Sequence, residues 1–247
     1  MDSATRIGRA FEMGLREYAR TPVLLALLVF LPVYFVGIFV YVLPVSEMPI
    51  TVPGEGQQVV ATADLYGVLL VPLLAGLIGG IAGMFLMQTA RDADARLVLA
   101  GYRPSDLVVA RFGLLVVASV VATTVSLAVL SVEYVPESPA IFIAASLLAG
   151  LIYGLVGVLV GLVLARLAGV YTMLFVPMLD VFFFQNPTVE EQLRIATYFP
   201  GHAVTEIAVD AGFSTDVILA PFAEALAMLL IVSVFATIAF YRRTRVQ

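Results

Sequence analysis

Residues 65–89 read LYGVLLVPLLAGLIGGIAGMFLMQT, and residues 90–106 read ARDADARLVLAGYRPSD. No charged side chain interrupts the first stretch, whereas Arg91, Arg96 and Arg103 fall in the second. A hydrocarbon core of roughly 30 Å takes about 20 helical residues, so the first stretch is long enough to cross a bilayer. Lys and Arg collect in cytoplasmic loops. The apolar run therefore arrives in the cytoplasm, and the rest of the chain can be threaded from that point.

Threading outward gives six spans at about 21–43, 65–89, 105–132, 139–165, 170–185 and 217–241. Of the thirteen arginines, twelve then share one side. Arg6, Arg9, Arg16 and Arg20 precede the first span, and Arg111, near the start of span 3, joins the group in or beside the span 2–3 connection. Arg166 lies between spans 4 and 5, and Arg242, Arg243 and Arg245 follow span 6; Arg194 alone plots to the other face. Both termini are expected in the cytoplasm, in a multi-pass protein of the cell membrane.

Composition agrees. The 247 residues are 62% hydrophobic with a mean hydropathy of +1.05, where a soluble domain is about 45–50% apolar. Six spans leave no room for a sizeable soluble domain, so 1–247 reads as one all-α membrane domain. The absence of Cys excludes disulfides and thiolate chemistry. A net charge of −5 argues against a nucleic-acid partner. The first apolar run, Thr21 to Leu43, exceeds the 7–15 residues of a signal-peptide core, so a cleaved leader is not expected.

Residues 4–20 form an amphipathic pattern. At 100° per residue Ile7, Phe11, Leu15 and Tyr18 fall within an arc of about 80°. Arg6, Arg9, Arg16, Glu17 and Arg20 lie opposite, so a helix in the membrane interface is expected. The 44–64 segment has turn chemistry, with Pro44, Pro49, Pro53, Gly54 and Gly56, and no basic residue. Val52 and Gln57–Thr62 are placed to pair as a small hairpin outside the membrane.

Two spans carry glycine stripes: Gly76, Gly79, Gly80 and Gly83 in span 2, and Gly150, Gly154, Gly157 and Gly161 in span 4. Small residues four apart let helix backbones approach closely, which replaces the missing hydrophobic drive in lipid. In the 90–106 connection, Asp92 or Asp94 is placed to cap a short helix and Gly101 to end it. Leu97, Val98 and Leu99 then form an exposed apolar patch between charges, which reads as a docking surface. The plainer alternative is a helix folded back on its own bundle. Pro104-Ser105-Asp106 reads as the cap of span 3.

Asp180 is the outlier of span 5, which also holds Pro177. A carboxylate at helix depth costs about 2.5–3.5 kcal/mol on insertion scales and is by default a functional candidate. Its bland explanation is a bond to a hydroxyl such as Thr172, or to a backbone carbonyl freed near Pro177. Glu224, about two turns into span 6, is expected to snorkel. His202, the single histidine, has Glu206 at i+4. One His and one Glu make a weak metal site, so no metal is expected.

The chain resembles the permease subunit of type-2 ATP-binding-cassette exporters. The likeness rests on the amphipathic lead-in, the six-span layout, the run Arg-Leu-Val-Leu-Ala-Gly-Tyr-Arg-Pro-Ser-Asp from Arg96 to Asp106, and Tyr198-Phe199-Pro200-Gly201-His202 before the last span. It implies a dimer, homo- or heteromeric, in which each permease docks a cytoplasmic ATPase. A coupling helix would lie at about 92–101, with Asp92, Asp94, Arg96, Leu97, Val98, Leu99, Gly101 and Arg103 at the docking face. Paired re-entrant helices would occupy about 187–215, and spans 2 and 5 would line the dimer centre. ATP and Mg would be held by the ATPase, because a phosphate-binding P-loop requires a Lys and this chain has none. The chain itself is then no enzyme. The rival class is a membrane scaffold that moves nothing.

A weaker likeness links Glu190-Glu191-Gln192-Leu193-Arg194 and Phe199-Pro200-Gly201-His202 to glutamate-dependent intramembrane proteases. Both motifs are one residue short, and a second His is lacking. The spans carry no row of charges that would select an ion or a sugar. A lipid, a hydrophobic drug, a peptide or a polar molecule in a dimer seam all fit.

Overall fold

A computed structural model describes residues 3–20, 22–42, 46–99, 101–189 and 193–244. The elements are α1 (Ser3–Ala19), α2 (Pro22–Tyr41), β1 (Glu47–Val52), β2 (Gly56–Ala61), α3 (Thr62–Leu99), α4 (Pro104–Leu130), α5 (Pro139–Val163), α6 (Arg166–Leu179), α7 (His202–Phe213) and α8 (Ala220–Thr244). A π turn, Asp180–Phe184, prolongs α6, and a 3-10 turn, Arg194–Tyr198, precedes α7.

Among the described residues five helices are long and apolar enough to cross a membrane: α3, α4, α5, α6 with its π turn, and α8. The described apolar part of α2, Ala26–Tyr41, is shorter. The chain thus has the length pattern and composition of an all-helical integral membrane protein, with one small hairpin added. A hairpin forms where one was expected, but its first strand starts back at Glu47 and its second runs Gly56–Ala61, with Val52 opposite Gly56 and Thr51 opposite Gln57. Its buried face, Ile50 and Val52, sits on the bundle.

The helices are not equivalent. The apolar window of α3 is wholly buried within the chain, against 28% for α6 and 17% for α8. α3 is therefore the hub, and α6 and α8 leave most of their surface uncovered by the rest of the chain. What brings another helix so close to the hub is glycine. A Cβ on Gly79 would run into the Gly150 carbonyl oxygen, one on Gly83 into that of Gly154, and one on Gly157 into that of Gly80. A Cβ on Gly161 would come within 2.8 Å of the Met84 carbonyl oxygen. The two stripes face each other inside one chain, as small residues do where membrane helices meet backbone to backbone. This corrects the implied role of span 2 at a dimer centre: Gly76, Gly80 and Gly83 are already covered.

The 90–106 segment also differs from expectation. No break separates span 2 from a short helix, since α3 runs unbroken to Leu99. Ala90, Ala93, Ala95 and Arg96 are strong helix formers with no Gly or Pro among them, so the chain has no reason to stop after the membrane. Asp92 and Asp94 thus fall within a helix rather than at the start of one. The end does come where Gly101 permits it. Gly101 has φ +90, and the Tyr102 N–H donates to the Leu97 carbonyl at 3.0 Å, the long bond of a glycine-terminated helix. The side chains of Asp92, Asp94, Arg96, Val98 and Leu99 lie outside the described residues; Arg103 is exposed.

Leu97 packs with Ile7, Phe11 and Tyr102 against Ala10, Leu107 and Ala110. Within the patch 97–99 it follows the plainer alternative and folds back on its own chain. α1 lies on α4, with Ala10 and Gly14 buried, Ile7, Phe11 and Tyr18 half-buried, and Leu15 40% exposed. The apolar stripe of α1 therefore meets protein along most of its length. Asp106 clamps α1 rather than capping α4: it accepts from the Ser3 hydroxyl at 2.6 Å and pairs with Arg6 Nε at 2.8 Å. α4 starts instead at Pro104, with Arg103 extended before it, as the residue before proline must be.

Candidate functional site

Two ends of the bundle are distinct. At the arginine-rich end the Arg166 guanidinium lies 4.6 Å over the Phe85 ring, and the Gln88 side chain donates to the Leu164 carbonyl at 3.1 Å. At the other end, loops that are distant in sequence are sewn together. The Tyr134 hydroxyl donates to the Gly212 carbonyl at 2.6 Å, and the Ser214 hydroxyl to Glu55 at 2.6 Å. The Thr51 N–H donates to the Pro187 carbonyl at 3.1 Å.

Asp180 is the centre of this second end. It is 1% exposed and holds three segments at once. The Tyr153 hydroxyl of α5 donates to its Oδ2 at 2.5 Å. The Gly201 N–H, at the entrance to α7, donates to the same oxygen at 2.8 Å. Gln185 Nε2 donates to Oδ1 at 3.1 Å and to the Ala196 carbonyl at 2.9 Å. The local backbone explains the aim. Pro177 sits inside α6 and the helix widens just beyond it, with the Gln185 N–H bonding the Asp180 carbonyl at 3.0 Å across five residues. Single π turns of this kind gather at functional sites.

Gly201 admits no side chain here: a Cβ would lie 2.8 Å from both Asp180 Oδ2 and the Tyr153 hydroxyl. The Tyr153 ring in turn rests where Gly76 leaves space, since a Cβ there would lie 2.6 Å from the ring. The glycine stripe of α3 thus also seats the aromatic that holds Asp180. Asp180 does find a hydroxyl partner, as expected, but it is Tyr153 and not Thr172, whose hydroxyl bonds the Ala168 carbonyl at 2.9 Å. Sequence reasoning missed Tyr153, Gln185 and Gly201. One signal was present: a tyrosine among the glycines of span 4 must find a partner for its hydroxyl once buried.

From Asp180 the polar chain reaches an open cleft of about 430 Å³, lined by Gln185, His202, Thr205 and Glu206 with Thr51 and Val209 among the other walls. His202 Nδ1 lies 2.9 Å from Gln185 Oε1, and Nε2 lies 3.8 Å from Glu206 Oε2. Burial pushes the Glu206 carboxyl above the usual range; His202 opposes the shift, and Glu224 and Asp210 add to it. Burial also raises Asp210, against the Ile218 N–H that bonds its carboxylate at 2.7 Å. Glu224 is exposed near the start of α8.

Among the described residues no three His, Cys, Asp or Glu side chains converge as a metal cluster. Glu190, Glu191 and Gln192 of the protease-like motif lie outside the described residues, and His202 is held by Gln185 at one end of the bundle. No protein-family model matches the chain, and no curated protein matches it.

Proposed function

We propose that this chain is the membrane-spanning permease subunit of an ABC-2-type exporter, which works as a dimer with a separate cytoplasmic ATPase. One observation carries the reading. α3 is a single helix of 38 residues that starts at the acidic end, fills the centre of the bundle and continues past the membrane at the arginine-rich end. A force applied to its last turns moves the hub itself, because nothing in 90–99 interrupts the helix. Packed interfaces shift between discrete arrangements rather than deform smoothly, so the glycine seam with α5 would carry the displacement to Tyr153 and Asp180.

The six-span layout, with α2 as the first crossing and both termini in the cytoplasm, belongs to this reading. Of the two spans assigned to a dimer centre, only α6 keeps a free face: Tyr171, Phe175, Met178 and Phe183 are all exposed. The proposed second copy is placed there.

The test is capture of an ATPase from native membranes. Val98→Ser with Leu99→Ser should abolish co-purification of a P-loop protein and leave the permease folded. Leu97→Ser is the structural control and should loosen α1 instead. Undiminished capture by the double variant would show the docking assignment to be wrong. No P-loop protein with the native chain would favour the scaffold reading. The chain has no cysteine, so Ala100→Cys and Thr244→Cys can be labelled singly. Labelling of either by an impermeant reagent from outside intact cells would overturn the orientation.

A further inference from the structure

We infer that His202 and Glu206 form a binding site for one divalent transition cation, with Zn²⁺ the best-matched probe. The inference rests on local geometry and on no part of the transport reading.

The argument begins at Gln185. Its Nε2 faces two groups that only accept, a carboxylate oxygen and a backbone carbonyl. That fixes the amide, so Oε1 faces His202 Nδ1 at 2.9 Å and Nδ1 must carry the proton. With the proton fixed on Nδ1, Nε2 is the ring atom left for a metal, which displaces any proton it carries, and it faces Glu206 Oε2 at 3.8 Å. A metal-bound histidine almost always gives its other N–H to a carboxylate, a backbone carbonyl or water, which fixes the ring. Asp180, Gln185 and His202 supply that support before any ion arrives.

Separation also fits. Zn–N bonds are about 2.0–2.1 Å and Zn–O bonds about 2.0–2.2 Å, so one ion reaches both atoms across their 3.8 Å gap. Both residues lie in the first two turns of α7, at i and i+4 on one face. The remaining coordination positions open into the cleft of about 430 Å³. Among the described residues no further His, Cys, Asp or Glu joins the pair as a cluster, so water or a bound molecule's own donor atoms complete the sphere. Beyond the pair, Glu224 of α8 and Asp210 of α7 are the charges acting on Glu206, and both favour a cation.

The experiment uses the full chain purified in detergent without a polyhistidine tag, since His202 is its only imidazole. Calorimetric titration with Zn²⁺ should show one site per chain, reversed by EDTA and weakened on acidification, because binding displaces protons. H202Q and E206Q should each remove it. Q185M should weaken it about 10–100-fold, as loss of a supporting hydrogen bond does, while leaving a saturable site. Should Q185M not fold, the imidazole proton signals of the native chain still decide, since they must shift stoichiometrically with Zn²⁺. Binding to E206Q as tight as to the native chain, or no saturable binding by the native chain, would overturn the proposal.

Discussion

The α3–α5 seam and the Asp180 node touch at Tyr153, yet they hold the bundle by opposite means. The seam works by what its residues lack. Glycines bring carbonyl groups of one helix against the backbone of the other, and no side chain intervenes. The node works by what one residue has. A single carboxylate takes hydrogen bonds from α5, from the residue following the π turn and from the entrance to α7. Lipid explains the division of labour. Between apolar helices association comes from close packing. Loops at the end of the bundle have no such stripe to offer and are held by polar bonds.

The seam should be the harder of the two to alter. Gly83→Leu places a branched side chain on the Gly154 carbonyl, which belongs to a rigid helix, and folded protein should be lost. Gly83→Ala should cost about 1–3 kcal/mol or somewhat more, the usual penalty of overpacking, read as a lowered melting point in detergent. Gly8→Ala and Gly37→Ala are the matched controls. Both glycines are helical and a Cβ at either meets nothing within 4 Å. They should gain up to about 1 kcal/mol from helix propensity. Equal losses at Gly83 and Gly37 would dissolve the distinction between a contact stripe and glycine that is merely frequent.

The node should fail by degrees. Asp180→Leu leaves the Tyr153 hydroxyl, the Gly201 N–H and one Gln185 donor site without their acceptor, and each buried orphan costs about 1–3 kcal/mol. Asp180→Asn keeps oxygen acceptance on one side and should lose less. Tyr153→Phe removes one donor and should cost least, again about 1–3 kcal/mol. Proteolysis within 185–201 should follow the same order, because the carboxylate holds Gln185 and Gly201 at the two ends of that stretch. A Tyr153→Phe chain cut as fast as Asp180→Leu would show that the hydroxyl, rather than the carboxylate, carries the junction.

The contrast also sorts what can be read from residues alone. The seam was legible, because glycines at four-residue spacing in an apolar span have few other uses. The pairing of span 2 with span 4 was not, since each stripe is equally consistent with a second copy of the chain. The hairpin followed from Pro53, Gly54 and Gly56. Asp92 and Asp94 misled because acidic residues after an apolar run look like caps, while helix propensity through Ala90–Arg96 carried α3 onward. Asp180 stood out, but its partners come from residues 153, 185 and 201, and no local pattern links segments brought together only by the fold. Asp106 is the same case at the other end. It resembles a cap in sequence, yet it holds Arg6, 100 residues earlier in the chain.

The smallest effect concerns the cleft beside the node. Burial holds the Glu206 carboxyl above its ordinary value of 4.5, so the folded chain keeps a proton that the unfolded chain has released. Stability from this group is therefore greatest in acid and declines as pH rises from the unfolded value through the raised folded value. His202 opposes the shift and keeps it modest. Melting curves taken in EDTA across that window should show a shallow decline for the native chain, flattened in Glu206→Gln. Asp210, raised for the same reason, should leave a residual slope in that variant, so complete flattening would assign the whole effect to Glu206. Unlike the node, where removing the carboxylate is costly, removing this one should leave the fold as stable or slightly more so near neutrality. A marked loss of stability in Glu206→Gln would mean that the cleft carboxylate is structural in the way Asp180 is.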